Sequence, residues 1–160
     1  MMVIHGVDDL LGRAGQELGV SPWFPLTQDD VDVFAEVTRD HQWLHVDTDR
    51  AKGSVFGGTI AHGFLTLSLI THLHHEVFEM RDYTHGLNYG MDRVRFPAPA
   101  RVGSSVRARV TVAEAQDRGD AVQATFHTVI ENDATDKPVC VVDFLVRYYG
   151  PRLHPRSREA

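Results

Sequence analysis

The chain has 160 residues, inside the ~100–200 residues of one ordinary domain. Apolar residues make up 42% of it and charged residues 24%, close to globular averages, which excludes disorder and collagen-like repeats. The formal net charge of −6 argues against nucleic acid as the main partner. No apolar run approaches the ~18 residues that a membrane span needs. Asp8 and Asp9 stand where a signal peptide would carry basic residues, and the single cysteine, Cys140, suits a reducing compartment. These readings predict a cytoplasmic protein with no membrane partner.

Leu10, Leu11, Ala14 and Leu18 recur at helical spacing and predict a first helix over 7–18. Ser21-Pro22 ends it, and Trp23-Phe24-Pro25 reads as a short extended piece. Thr27 opens a second helix by capping the Asp30 amide, with Asp29 and Asp30 in the first turn, where the dipole favours acids. Its inward stripe is Val31, Phe34, Ala35 and Thr38, and it ends near Arg39 or Asp40. From Asp40 to Gly58 the pattern is irregular, apart from one helical turn capped by Asp47. Loops of such length are uncommon in compact domains and are often functional. Ile60 to Phe78 is apolar around most of a helix circumference, the pattern of a helix buried at the centre of a domain.

The second half changes to a period of two. Val106, Ala108, Val110 and Val112 alternate with polar neighbours, and Val122, Ala124, Phe126, Thr128 and Ile130 do so again. Asp117 to Asp120 and Asn132 to Pro138 are turns; Val139–Tyr149 and Gly86–Phe96 are further strands. Tight turns make neighbouring strands antiparallel. The prediction is an α+β fold: one domain over 1–150, a buried helix followed by an antiparallel sheet, and a fraying polar tail over 151–160.

Asp40 and His45 are the first candidates for chemistry. Five residues apart, they would lie about 140° apart around a helix, so a chain bend would be needed to aim both at one atom. A carboxylate and an imidazole converging on a water could carry acid–base chemistry near neutral pH; spacing alone favours a helix-end acid and a surface histidine. Gly63 starts the long apolar helix, where free backbone amides favour negative charge. Its missing side chain would let a ligand oxygen approach, and such an amide would stabilise an enolate; a glycine needed only for tight helix entry fits as well. Gln42 or His62 could orient the pair. His72, His74 and His75 lack a spaced carboxylate or cysteine set and read as polar positions near a helix end, with no metal. Cys140 reads as buried and inert. Arg93 with Arg95, and Arg107 with Arg109, fall on common strand faces, more in keeping with solvated charges than with phosphate binding.

The order Asp40-His41-Gln42-Trp43-Leu44-His45-Val46-Asp47, then Gly57-Gly58-Thr59-Ile60-Ala61-His62-Gly63, resembles the MaoC-like dehydratases, the (R)-specific enoyl-CoA hydratase family. Gln42-Trp43 replaces the Asn-Pro of the family's D-x-N-P-x-H motif. That variant, with Asn88-Tyr89-Gly90 and Val94-Arg95-Phe96-Pro97-Ala98-Pro99, is similar to the nodulation-protein-N-type branch and to actinobacterial 3-hydroxyacyl-thioester dehydratases. The resemblance implies a hot-dog fold, an antiparallel sheet wrapped around a central helix, in homodimers whose sheets join. It also implies reversible hydration of a trans-2-enoyl thioester of CoA or acyl carrier protein, with no cofactor and no metal. Asp40 and His45 would activate the water, and Gly63, with His62, Gln42 and Thr71, would form the oxyanion and substrate-binding group. A hot-dog thioesterase and a non-catalytic acyl-thioester binder are the alternatives.

Overall fold

In the computed structural model, which describes residues 1–152, β1 (Met2–His5) runs directly into α1 (Gly6–Leu11). The helix predicted over 7–18 therefore stops early. Gly12 and Gly15 follow it, Gly15 at φ +83°, and the Gly15 amide donates to the Val112 carbonyl at 2.6 Å. Leu10 and Leu18 are both buried, but Leu18 lies on a strand, β2 (Glu17–Val20), which pairs with Arg109 to Thr111. Residue spacing matched a helix; pairing with an available sheet edge prevailed.

β3 (Phe24–Pro25) is the predicted extended piece, paired with Val106 and Ser105. α2 (Gln28–Thr38) begins at a Thr27–Asp30 capping box and ends where Arg39 takes a left-handed conformation, φ 65°. Val31 and Ala35 are buried and Phe34 is half-buried. Thr38, expected on the same stripe, is exposed, and its hydroxyl donates to the Phe34 carbonyl at 2.7 Å. The predicted loop holds two short helices, α3 (Trp43–Val46) and α4 (Thr48–Lys52). The Asp47 carboxylate caps α4 as expected, accepting from the Arg50 amide at 3.0 Å; α3 is a single turn, too short for a periodic signal.

The central helix runs as α5 (Gly63–Ser68) and α6 (Ile70–Val77), with hydrogen bonds continuing through Leu69. Leu65, Leu67, Ile70, Leu73 and Val77 enter the core. The helix is not covered all round: Phe64 is 68% exposed, and Ser68, Thr71, His72 and His75 share its open side. Phe78 belongs not to the helix but to β4 (Phe78–Arg81), which lies parallel to β1.

β5 (His85–Arg95), β6 (Ser105–Asp117), β7 (Ala121–Asn132) and β8 (Thr135–Tyr149) complete an antiparallel sheet of order β2-β6-β7-β8-β5, with β3 also on β6. The predicted inward residues of β6 and β7 are all fully buried, packed against the central helix. The turn after Asn132 is tighter than predicted, because the Asn132 side-chain oxygen accepts from the Ala134 amide at 3.0 Å and Asn132 already faces Thr135. Cys140 is buried, which pushes its thiol up to about 11.

On the outer face, Arg107 and Arg109 both reach Glu131, at 2.7 and 3.3 Å. Arg93 does not share a face with Arg95: the register slips between Asp92 and Arg95, Arg93 takes φ 53°, and it pairs with buried Asp143. Arg152 is held by Asp8 and Asp117, at 2.9 and 2.7 Å, so the predicted tail begins tied down; residues 153–160 lie outside the described residues. Among those described, no helix is long and apolar enough to cross a membrane.

Candidate active site

The left-handed stop at Arg39 ends α2 and turns the chain, leaving Asp40 as the next residue. The Gln42 amide lies 3.4 Å from Asp40 Oδ1, while the Asp40 side chain is 54% exposed. His45 sits on α3 and is 7% exposed. Gln28, at the start of α2, donates to the His45 carbonyl at 2.8 Å and accepts from the Thr59 hydroxyl at 2.6 Å. The Ile60 amide donates to the Leu44 carbonyl at 3.0 Å. Segment 59–61 is itself pinned: Ala61 donates to the Ala100 carbonyl at 2.8 Å, and Val102 to that of Thr59 at 2.9 Å. Five bonds therefore fold a local stretch into the bend that the Asp40–His45 spacing required.

One nitrogen or oxygen each from Asp40, His45 and His62 lies within 4.8 Å of the others. His45 Nδ1 is 2.7 Å from the Ile60 carbonyl oxygen. A carbonyl only accepts, so Nδ1 carries the hydrogen and the Nε2 lone pair is left for chemistry. Burial pushes the His45 imidazole below its usual range, with the neighbouring His62 ring acting the same way; the Ile60 bond and Asp40 oppose it. The result is an imidazole biased towards its neutral, proton-accepting form beside a carboxylate, a pairing able to hold and deprotonate a water.

His62 is the residue before α5 and is 3% exposed. Its Nε2 is 2.9 Å from the Asp40 carbonyl oxygen, and its ring stacks on His45 with centroids 3.7 Å apart. This buried ring is a neighbour of the pair and not an open oxyanion donor. Gly63 is the first residue of α5, where amides lack intrahelical partners. A Cβ there would lie 3.2 Å from the Phe96 ring. On its Cα side the glycine thus makes room for the Phe96 ring. Gln42 is an exposed N-cap of α3. Thr71 is exposed on α6, where it lines a separate cavity of about 620 Å³ together with His74, Phe78 and Tyr148.

Asp40, His45 and His62 are metal-ligand types in proximity. One nitrogen of each ring already faces a backbone carbonyl, which leaves each imidazole a single nitrogen for any other partner. His74 is also a different residue from the one predicted: it is 4% exposed, bonded to the Thr128 hydroxyl at 2.8 Å and ringed by Phe78, Phe126 and Phe144. Gln28 had no motif to mark it, and Thr59 and Ile60 lay in the quoted motif without a role; each acts through a contact made across the fold.

Residues 10–134 match the family model described as MaoC like domain. The chain is 45% identical over 149 residues to 3-hydroxyacyl-thioester dehydratase Z of Mycobacterium tuberculosis, covering 92% of this chain and 99% of that protein. It is 42% identical over 153 residues to nodulation protein N of Rhizobium leguminosarum bv. viciae, covering 93% and 95%. The R-hydratase PhaJ1 of Pseudomonas aeruginosa superposes with a TM-score of 0.68 at 23% identity, over 90% of this chain and 91% of that one, a likeness of fold. A helix wrapped by an antiparallel sheet is the hot-dog architecture, and by sequence and fold together the chain belongs to the MaoC-like family.

Proposed function

We propose that this protein is a hydro-lyase that adds water reversibly across the double bond of a trans-2-enoyl thioester, giving the (3R)-3-hydroxyacyl thioester. The observation that carries the reading is that an Asp40 carboxylate oxygen and a His45 ring nitrogen lie within 4.8 Å of each other near the start of α5, with His45 Nδ1 turned to the Ile60 carbonyl. The water oxygen bonds to C3 as one of its protons passes to the Asp40/His45 pair. The C2=C3 electrons move to the thioester oxygen, where the Gly63 amide meets the developing charge. A proton from the pair then reaches C2, and the chain returns to its starting state. The names of the relatives support the reaction class, and the carrier is CoA or acyl carrier protein.

The working unit in this reading is a homodimer. β5 is an edge strand exposed along nearly its whole length, carrying Leu87, Tyr89 and Met91, and Phe64 stands open on the central helix. An edge of this length with apolar side chains is a liability unless paired, and a second copy would cover it.

The test is loss of the conjugated enoyl absorbance of crotonyl-CoA. Loss with wild type, largely abolished in Asp40→Asn and His45→Gln and with no free thiol released, supports the assignment. Equal loss in all three removes the pair from the reaction, and thiol release instead identifies a thioesterase.

A further inference from the structure

We infer that His62 is a positioning residue, which fixes the relative placement of Asp40 and His45 through one donated hydrogen bond and one stacked ring face. The inference rests on reading Asp40 and His45 as the reacting pair.

His62 is tied to all three parts of the site. Its Nε2 faces the Asp40 carbonyl oxygen at 2.9 Å, so Nε2 carries hydrogen and donates. One face of its ring lies against His45 at 3.7 Å and 24°, and the Phe34 ring lies 5.0 Å away. The next residue in the chain is Gly63, so a shift of His62 moves the first amide of α5 as well. The backbone of Asp40 would otherwise hang from the end of α2, with its carboxylate held only by the Gln42 amide.

His62 also carries an unpaired cost. Its Nδ1 is buried with no hydrogen-bond partner among the described residues, and such a group is destabilising relative to an apolar side chain of similar shape. A phenylalanine would fill the same space without an orphan nitrogen, but it could not donate to Asp40. A glutamine could donate from its ε nitrogen, but it would offer His45 no ring. Imidazole meets both requirements at once. Because the side chain is 3% exposed, it supports the pair from behind and makes no contact with substrate, so its effect falls on kcat and leaves KM alone.

The experiment compares His62→Phe and His62→Gln with wild type, using crotonyl-CoA kinetics and nitrogen-15 NMR of the histidine side chains. In wild type at neutral pH the NMR pattern of His62 is that of hydrogen on Nε2, and that of His45 is hydrogen on Nδ1. His62→Phe lowers kcat about 10- to 100-fold, the scale for misplacing a catalytic group by about 1 Å, with KM within about twofold. His62→Gln shows a smaller loss than His62→Phe, since the donor to Asp40 is kept, but stays below wild type, since His45 loses its stacked ring. A His62 with hydrogen on Nδ1 and none on Nε2 in wild type overturns the inference even where neither variant folds. So does a folded His62→Phe enzyme with wild-type kcat, or one whose loss lies in KM. If wild type does not hydrate crotonyl-CoA, the reading of the pair fails separately. The inference is then judged on His45, whose nitrogen pattern changes in His62→Gln, which removes the stacked ring, if His62 orients it and stays the same if it does not.

Discussion

The two ends of the central helix each bury a histidine, and they do so to different ends. At the start, His45 is stacked on His62 with one nitrogen bound to a carbonyl, the other free, and a half-exposed carboxylate within 4.8 Å. Near the finish, His74 sits among Phe78, Phe126 and Phe144 with Thr128 as its polar partner and no carboxylate among its side-chain contacts. Burial lowers the affinity of both rings for a proton, and His74, the more deeply enclosed, is pushed down to about 3. Depth of burial alone therefore does not mark a reactive histidine. What separates the two is that only His45 has a carboxylate close by, the group with which the proposed reaction would share its proton.

The largest effect expected from this contrast is on rate. Asp40→Asn and His45→Gln each lower kcat/KM for crotonyl-CoA by about 10²- to 10⁴-fold, whereas His74→Gln leaves it within a few-fold of wild type. An equal loss in His74→Gln would erase the distinction. The second effect is on stability, with the sign set by linkage. His74 binds its proton near 6.5 when unfolded and only near 3 when folded, so its contribution is complete above pH 6.5 and declines as pH falls towards 3. The decline is about 1.4 kcal/mol per pH unit from this group. Urea denaturation between pH 7.5 and 4 should show a steeper loss for wild type than for His74→Gln.

Gly63→Ala tests the start of the helix from another side. Its methyl group would meet the Phe96 ring at 3.2 Å, and displacement of the ring or of the helix start lowers kcat by about tenfold, less than the about 10²- to 10³-fold of losing an oxyanion donor outright; a further Phe96→Leu change, which opens the space, recovers part of it. The smallest effect is in the pH profile of wild type. Because His45 titrates below 6.5 and acts when neutral, the acid limb of kcat/KM falls below that pH. A limb above 6.5 would mean that His45 is not the group observed.

Much of the sheet was legible because alternation over the seven residues 106–112 and the nine residues 122–130 leaves few other structures possible: the inward residues of β6 and β7 are those the period of two selected. The Thr27 cap and the Asp47 cap were legible for a local reason, since each bond spans three residues. The first helix failed at the same test. Leu10 and Leu18 had to be buried, but helix and strand both achieve that, and the choice lay with the free edge of β6. His74 failed for a related reason. A histidine near a helix end reads as polar surface, and only the ring of phenylalanines from β4, β7 and β8 makes its position interior.

The candidate site divides along the same line. Asp40, His45 and Gly63 could be named from residue type, helix ends and the order of motifs, because those are properties of the chain itself. Their convergence could not, since it depends on Gln28, Thr59 and Ile60 acting across 15 to 31 residues. Nor could the space at Gly63, which Phe96 fills from the far side of the sequence. The sequence by itself determined the chemistry on offer and the periods of the elements; the tertiary structure decided which groups meet. The physical reason is range: caps and periodicity are settled between near neighbours, whereas a hydrogen bond or a ring contact between distant residues exists only after the chain has closed around its core.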